Sequence, residues 1–182
     1  VQLDEAFGRA EADDNVRVVI LAGRGKNFSA GHDVGSEEAL LERKPGPGQH
    51  PTFRSHGSTM SSIAERTYLQ EWHFFFENTR RWRDLRKITI AQVQGNAISA
   101  GLMLIWACDL IVAADDAQFR MAEVSLGLVP DLGGTARLVR LVGVQRALEI
   151  CATGRHVSAE EAVRIGLALV SVPAAELDDA VA

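Results

Sequence analysis

The sequence predicts a single α/β domain, on three observations. Short β-branched apolar runs recur along the 182 residues. Segments with apolar residues at helical spacing alternate with those runs. Turns rich in Gly and Ala stand at the strand ends. Such alternation favours helices layered on a sheet.

The elements follow in order. Residues 1–11 read as an amphipathic helix through Val1, Leu3, Phe7 and Ala10. Residues 16–22 form a β-branched run, hence a buried strand, and 23–27 are a turn cluster. Residues 35–66 lack a sustained period and carry Pro45, Gly46, Pro47, Gly48 and Pro51. They read as an insertion, either a mobile flap over a site or a plain surface excursion. Residues 68–87 carry Leu69, Trp72, Phe75, Phe76, Thr79, Trp82 and Leu85 at helical spacing. A strand follows at 88–93. The apolar run 102–107 predicts a buried helix. Strands are expected at 110–114 and 119–122, a loop at 126–130, and helices at 135–142 and 144–153 with Gly154 as the stop. Ser158 caps a further helix, with Glu161 three residues on, as in a capping box. A closing strand is expected at 167–172. Val1 is not an initiator Met and 178–182 lie inside a helix-like pattern, so the expectation is a core cut at both ends.

Bulk properties narrow the function classes. The chain is 47% apolar and 24% charged, with a net charge of −5. An acidic balance argues against a nucleic-acid partner. No apolar stretch is long enough to span a membrane. Cys108 and Cys151 sit in apolar helical patterns and read as buried free thiols of a reducing compartment, the cytoplasm. No His/Cys/Asp cluster has metal-ligand spacing, so no metal is expected. The nucleotide signatures G-x-G-x-x-G and G-x-x-x-x-G-K are absent, and Ser99 lacks the context of a hydrolase nucleophile.

The chemistry centres on two small-residue turns: Phe28-Ser29-Ala30-Gly31-His32-Asp33 and Gly95-Asn96-Ala97-Ile98-Ser99-Ala100-Gly101. Each follows an apolar β-branched run. Little side-chain bulk stands between their backbone and a ligand. Two such turns can aim two N–H groups at one oxygen and stabilise an enolate or oxyanion. Ala100-Gly101 also opens a helix, where N–H groups lack intrahelical partners. Either turn alone is equally a tight connection that needs small residues for packing. At His32 the backbone N–H matters more than the ring, whose place is solvent or a supporting contact. Asp33 is divided between a functional role and capping of the next turn. Glu123 and Asp131 are the acid/base candidates, because a carboxylate in an apolar pocket can shuttle protons near neutrality. A cap or surface charge is the bland alternative for Glu123. Local context favours turn chemistry at Asp131. The basic stretch 78–87, with Trp82 inside it, reads as the solvated face of an amphipathic helix.

Together these segments resemble the crotonase, or enoyl-CoA hydratase/isomerase, family. The resemblance rests on residues 18–21 running into the first turn and on Gln94-Gly95-Asn96-Ala97 through Cys108-Asp109-Leu110. It continues through Phe119, residues 123–130 and Gly133-Gly134-Thr135-Ala136-Arg137-Leu138. It covers most of the chain from about Leu3 to Pro173, the insertion after Asp33 apart.

The resemblance implies a spiral of ββα units in two near-perpendicular sheets and an acyl-CoA thioester substrate. It gives the N–H groups of His32 and Ala100 to the thioester carbonyl and an acid/base role to Glu123. It places Phe28, Ser29, Ala30, Asp33, Met103 and Pro130 against substrate, with Ser29, Ala30 and Asp33 at the adenine end of CoA. Asp131 falls where some isomerases of the family carry an acid. CoA belongs to the substrate, so no separate cofactor is implied. The family commonly builds trimers, and a homotrimer or hexamer is expected of the full-length protein. Met103 departs from the pattern: it stands where a hydratase has its first glutamate, and a thioether moves no proton. Ala100 replaces a usual Gly and still offers its N–H. Three readings stay open: a hydratase, a Δ3,Δ2-enoyl-CoA isomerase working through a single carboxylate, and a non-catalytic acyl-CoA binder.

Overall fold

The computed structural model describes residues 2–33, 36–37, 71–130 and 134–182. Most of the insertion expected at 35–66 lies outside the described residues.

Helix α1 (Gln2–Ala12) leads to β1 (Val18–Ala22). A π-helical stretch (Glu71–Glu77) runs into α2 (Asn78–Arg83). Then come β2 (Ile88–Val93), β3 (Asn96–Ile98), α3 (Ala100–Trp106), β4 (Leu110–Ala114) and β5 (Gln118–Arg120). A 3₁₀ turn (Glu123–Leu126) precedes α4 (Gly134–Val142) and α5 (Val144–Thr153). The chain closes through β6 (His156–Ser158), α6 (Ala159–Ile165), β7 (Val170–Val172) and α7 (Leu177–Val181).

Two sheets divide the strands. One is wholly parallel in the order β1-β2-β4-β7, and the other runs β3-β5-β6. In the second sheet β3 and β5 are parallel, while β5 and β6 are antiparallel. Successive strand pairs therefore place one strand in each sheet before a helix: β2-β3-α3, then β4-β5 and the helices after it. This is the α/β fold with ββα units that the sequence led us to expect.

The main core lies around α3, where Leu102, Ile105 and Trp106 pack with Phe119 and Met121. The near-continuous apolar character of α3 follows from that burial. A smaller cluster joins Leu177 and Val181 of α7 to Val112 and Ala114 of β4. A third sets Phe7 against Trp82, their rings stacked at 5.1 Å. Trp82 also donates its Nε1–H to Asp4 at 2.9 Å. The aromatic of the basic stretch is thus a core residue. Its neighbours Arg81, Arg83 and Arg86 pair with Asp4, Asp109 and Glu11.

Several boundaries depart from expectation. The helix expected over 68–87 ends at Arg83, where Asp84 leaves helical geometry so the chain can enter β2; residues 68–70 lie outside the described residues. The strands β3 and β6 were hidden because three residues show no period, and their pairing is tertiary. Helix α3 begins at Ala100 rather than at 102, and the loop expected at 126–130 is preceded by a 3₁₀ turn. The capping box is half formed. Ser158 Oγ accepts from the Glu161 N–H at 3.2 Å, while the Glu161 carboxylate turns to Arg155. Both cysteines are free; Cys108 is buried, but Cys151, within α5, only half so.

Candidate functional site

The two small-residue turns are two ends of one parallel ladder. The chain leaves β1 and comes back against the segment after β2. The Phe28 N–H donates to Gln94 O at 2.9 Å, the Ser29 N–H to Asn96 O at 3.0 Å, and the Ile98 N–H to Ser29 O at 3.0 Å. Ser29 and Ala97 form a parallel bridge. The β1–β2 pairing thus continues past the strands and presses the turns together.

Glycine permits that approach. Gly31 has φ +95, and a Cβ there would sit 2.9 Å from Ile98 O and 3.7 Å from Ala100 N. A Cβ on Gly101 would meet Ser29 Cβ at 2.7 Å. Any larger residue at either position forces the turns apart.

His32 follows Gly31, and Ala100 opens α3, so its N–H has no acceptor within that helix. Ser99, between the strand and the helix, holds φ 50 and ψ −112, and it is the non-glycine residue with positive φ among those described. Its hydroxyl does not cap α3; it accepts from the Ala122 N–H at 3.2 Å. The Ser99 N–H donates to Arg120 O at 2.9 Å. Backbone strain at a non-glycine residue persists only where neighbours over-determine it, and Ser99 is held at both ends. The His32 ring is half-buried and stacks on Phe75 at 4.2 Å. Asp33 is exposed, and its Oδ1 accepts from the Ser36 N–H at 2.9 Å, the turn-capping role. Ala30 is exposed beside them, while Phe28 and Ser29 are half-buried.

Glu123 is 8% exposed and opens the 3₁₀ turn. It directly follows Ala122, so the Ser99 hydroxyl ties its backbone to the second turn. Its Oε2 is buried and finds no hydrogen-bond partner among the described residues. An orphaned buried carboxylate oxygen is costly and asks for an explanation, and chemistry is one. The nearby Cys151 thiol is pushed up by burial and by the Glu123 charge. By contrast, burial chiefly, with Asp109 beside it, pushes Cys108 up to about 12. Pro130 is buried, and Asp131 lies outside the described residues.

Met103, one turn along α3 from Ala100, is 4% exposed. With Phe76, Trp106 and Gly134 it lines a cavity of about 200 Å³. Its Cγ lies 3.7 Å from where a Gly134 Cβ would stand. Phe75, Phe76 and Gly134 escape a reading for reactive groups because none carries one. Helical periodicity marks the aromatics for packing, and only the fold sets Phe75 against His32 and Phe76 in the cavity with Met103. Among the described residues no group of His, Cys, Asp and Glu is placed to hold a metal ion, and no helix is long and apolar enough to cross a membrane.

The family description enoyl-CoA hydratase/isomerase matches residues 47–182. The chain belongs to that family. EchA13 of Mycobacterium tuberculosis is 49% identical over 180 residues, covering 97% of this chain and 55% of that protein. The short-chain-enoyl-CoA hydratase of Clostridium acetobutylicum is 34% identical, covering 97% of this chain and 59% of that enzyme. The crystal structure of an enoyl-CoA hydratase from Mycobacterium smegmatis superposes with a TM-score of 0.78 at 32% identity, over 99% of this chain and 61% of that one. The chain thus spans less than two thirds of the length of these relatives. The family match begins after the first turn, and in this member it is the parallel ladder that brings residues 28–33 to the matched part.

Proposed function

We propose that the full-length protein is an acyl-CoA-processing enzyme of the enoyl-CoA hydratase/isomerase type. The observation that carries this is the pressing together of the two turns, with Gly31 against Ile98 O and beside Ala100 N. In this reading the His32 and Ala100 N–H groups form an oxyanion hole for the thioester oxygen. Preorganised donors of this kind stabilise the charge that develops as the thioester becomes an enolate. Phe28, Ser29, Ala30 and Asp33 line the CoA arm; Met103 and Pro130 line the acyl side. CoA arrives as part of the substrate, and no further cofactor is required.

Glu123 is the acid/base. In a single-carboxylate isomerisation it takes a proton from C2 of a 3-enoyl thioester. The electron pair passes into the carbonyl, and the hole holds the resulting dienolate oxygen. The same carboxyl returns the proton at C4, which moves the double bond to C2. This route asks nothing of position 103. In hydration Glu123 would instead deprotonate water as its oxygen joins Cβ, with Asp131 standing in for the acid that Met103 cannot supply. The buried thioether at 103 favours the isomerase route. The enoyl-CoA hydratase name of the Clostridium relative favours hydration. A catalytically silent acyl-CoA binder is the third reading, again because of Met103.

The deciding experiment offers crotonyl-CoA and a 3-enoyl-CoA to purified full-length protein. Isomerisation without water addition supports the single-carboxylate route. Rapid hydration of crotonyl-CoA rejects it, and tight binding without turnover of either ester leaves the binder. A homotrimer or hexamer belongs to the same proposal, and sedimentation of the full-length protein tests it. The two free thiols support a reducing, cytoplasmic setting.

A further inference from the structure

Beyond Met103 the cavity changes character. Its floor is apolar: Phe76, Met103, Trp106 and Ala107. Its rim carries Arg80, Arg83, Arg137 and Arg140. In a chain of net charge −5 this is a strong local excess of cations. Asp109 pairs with Arg83 at 2.6 Å while also accepting from Thr89, and its charge reaches Arg137 as well. Among the described residues no other carboxylate pairs with the four. Arg137 is held in place by backbone carbonyls, its Nε donating to Trp106 O at 3.2 Å. Burial first, and then Arg83, lower Arg137 from its ordinary value; Asp109 opposes them and Arg140 adds to the lowering, so the guanidiniums feel one another. The Trp106 Nε1–H is a further buried donor without a partner among the described residues.

We propose that this cavity receives the distal carboxylate of a dicarboxylic acyl chain. The inference rests on the reading above, in which Ala100 holds the thioester carbonyl and Met103 marks the acyl side. Helix α3 advances about 1.5 Å per residue. The stretch from Met103 to Ala107 therefore lies roughly 5–10 Å beyond the carbonyl contact. A chain running along it crosses the apolar floor first and ends among guanidiniums. A methyl terminus there strips water from the arginines and returns nothing. A carboxylate gains charge-assisted, bidentate hydrogen bonds. The CoA arm is a poorer occupant. At about 200 Å³ the cavity is smaller than the pockets that hold drug-sized ligands, and CoA is larger still.

The test compares matched enoyl-CoA esters of equal chain length, one ending in methyl and one in carboxylate, on full-length protein. The ratio of their kcat/KM values should favour the carboxylate about tenfold, the effect of one good charge-assisted contact. The double variant Arg80→Gln/Arg140→Gln should bring that ratio close to one, while Arg140→Lys keeps part of it. The same ratio is read from the Kd values of the saturated esters. It therefore stands even if neither ester turns over, a result that would count against the proposed catalysis alone. Equal or weaker handling of the carboxylated ester by the wild type overturns the inference. An unchanged ratio in the double variant does so too. An equal rise of KM for both esters also overturns it, by assigning these arginines to the CoA phosphates.

Discussion

The two turns and the proposed acid–base residues sit side by side, yet they are made differently. The turn pair is built from main chain. Its spacing comes from the β1–β2 ladder, continued by the Phe28 and Ser29 hydrogen bonds, and from the bare α-carbons of Gly31 and Gly101. The proposed acid–base part hangs on single side chains: Glu123 with an orphaned oxygen, and Met103 where the resemblance expects a carboxylate. Main-chain geometry is over-determined by many contacts, so no one side chain can abolish it by changing its functional group. Side-chain chemistry is erased by one substitution. In the mechanism proposed above, the first part asks only for main chain, and the second rests on Glu123 among the described residues.

Glu123→Gln should break the second part and spare the first. Loss of a positioned general base lowers rates by about 10²–10⁴-fold. Here kcat should fall that far while acyl-CoA binding, measured by calorimetry, stays near the wild-type value. Unchanged turnover would place the base elsewhere. Gly31→Ala attacks the first part instead. It forces an L side chain into φ +95 and against Ile98 O, 2.9 Å away, and so displaces the His32 N–H. Losing one donor of an oxyanion hole costs about 2.7–4 kcal/mol of barrier, so kcat should drop about 10²–10³-fold. Urea unfolding of the same variant should show a loss of about 1–3 kcal/mol, the usual cost of a strained backbone position.

Ser99→Ala probes the link between the parts. It removes the acceptor for the Ala122 N–H and leaves a part-buried donor unpaired, which costs about 1–3 kcal/mol in a denaturant titration. The smallest effect belongs to the scaffold behind α3. Hydrogen bonds from Thr89 and Arg83, working against partial burial, hold the Asp109 carboxyl below the usual carboxylate range. A depressed folded value means that Asp109 stabilises the fold above the unfolded value of about 4, and that this is lost as pH falls through the folded value. Thr89→Val should flatten that acid limb of the stability profile.

The sequence made the main-chain part legible and left much of the side-chain part open, for physical reasons. Gly31, Gly101 and the runs at 18–22 and 88–93 announce close backbone approach, and the fold brings those turns together as expected. Glu123 was visible as a carboxylate after a short strand. Its burial was not, because that depends on α5 packing over the 3₁₀ turn, a contact distant in sequence. The ring of His32 found Phe75 rather than solvent, and the stretch 78–87 proved to be tied down by Asp4, Glu11 and Asp109. None of these partners lies within a helical turn of the residue it holds, and local periodicity carries no trace of them. The arginine rim was equally hidden, since Arg80 and Arg83 come from α2 while Arg137 and Arg140 come from α4.

The unequal thiols give the protein a reporter of its own. Only thiolates alkylate quickly, and Cys108 is buried with its proton held up to about 12. Near neutral pH a soluble alkylating reagent will therefore label Cys151 first. The Glu123 charge is among the causes that suppress thiolate at Cys151. Removing that charge by Glu123→Gln should therefore accelerate the labelling of Cys151 with no substrate present.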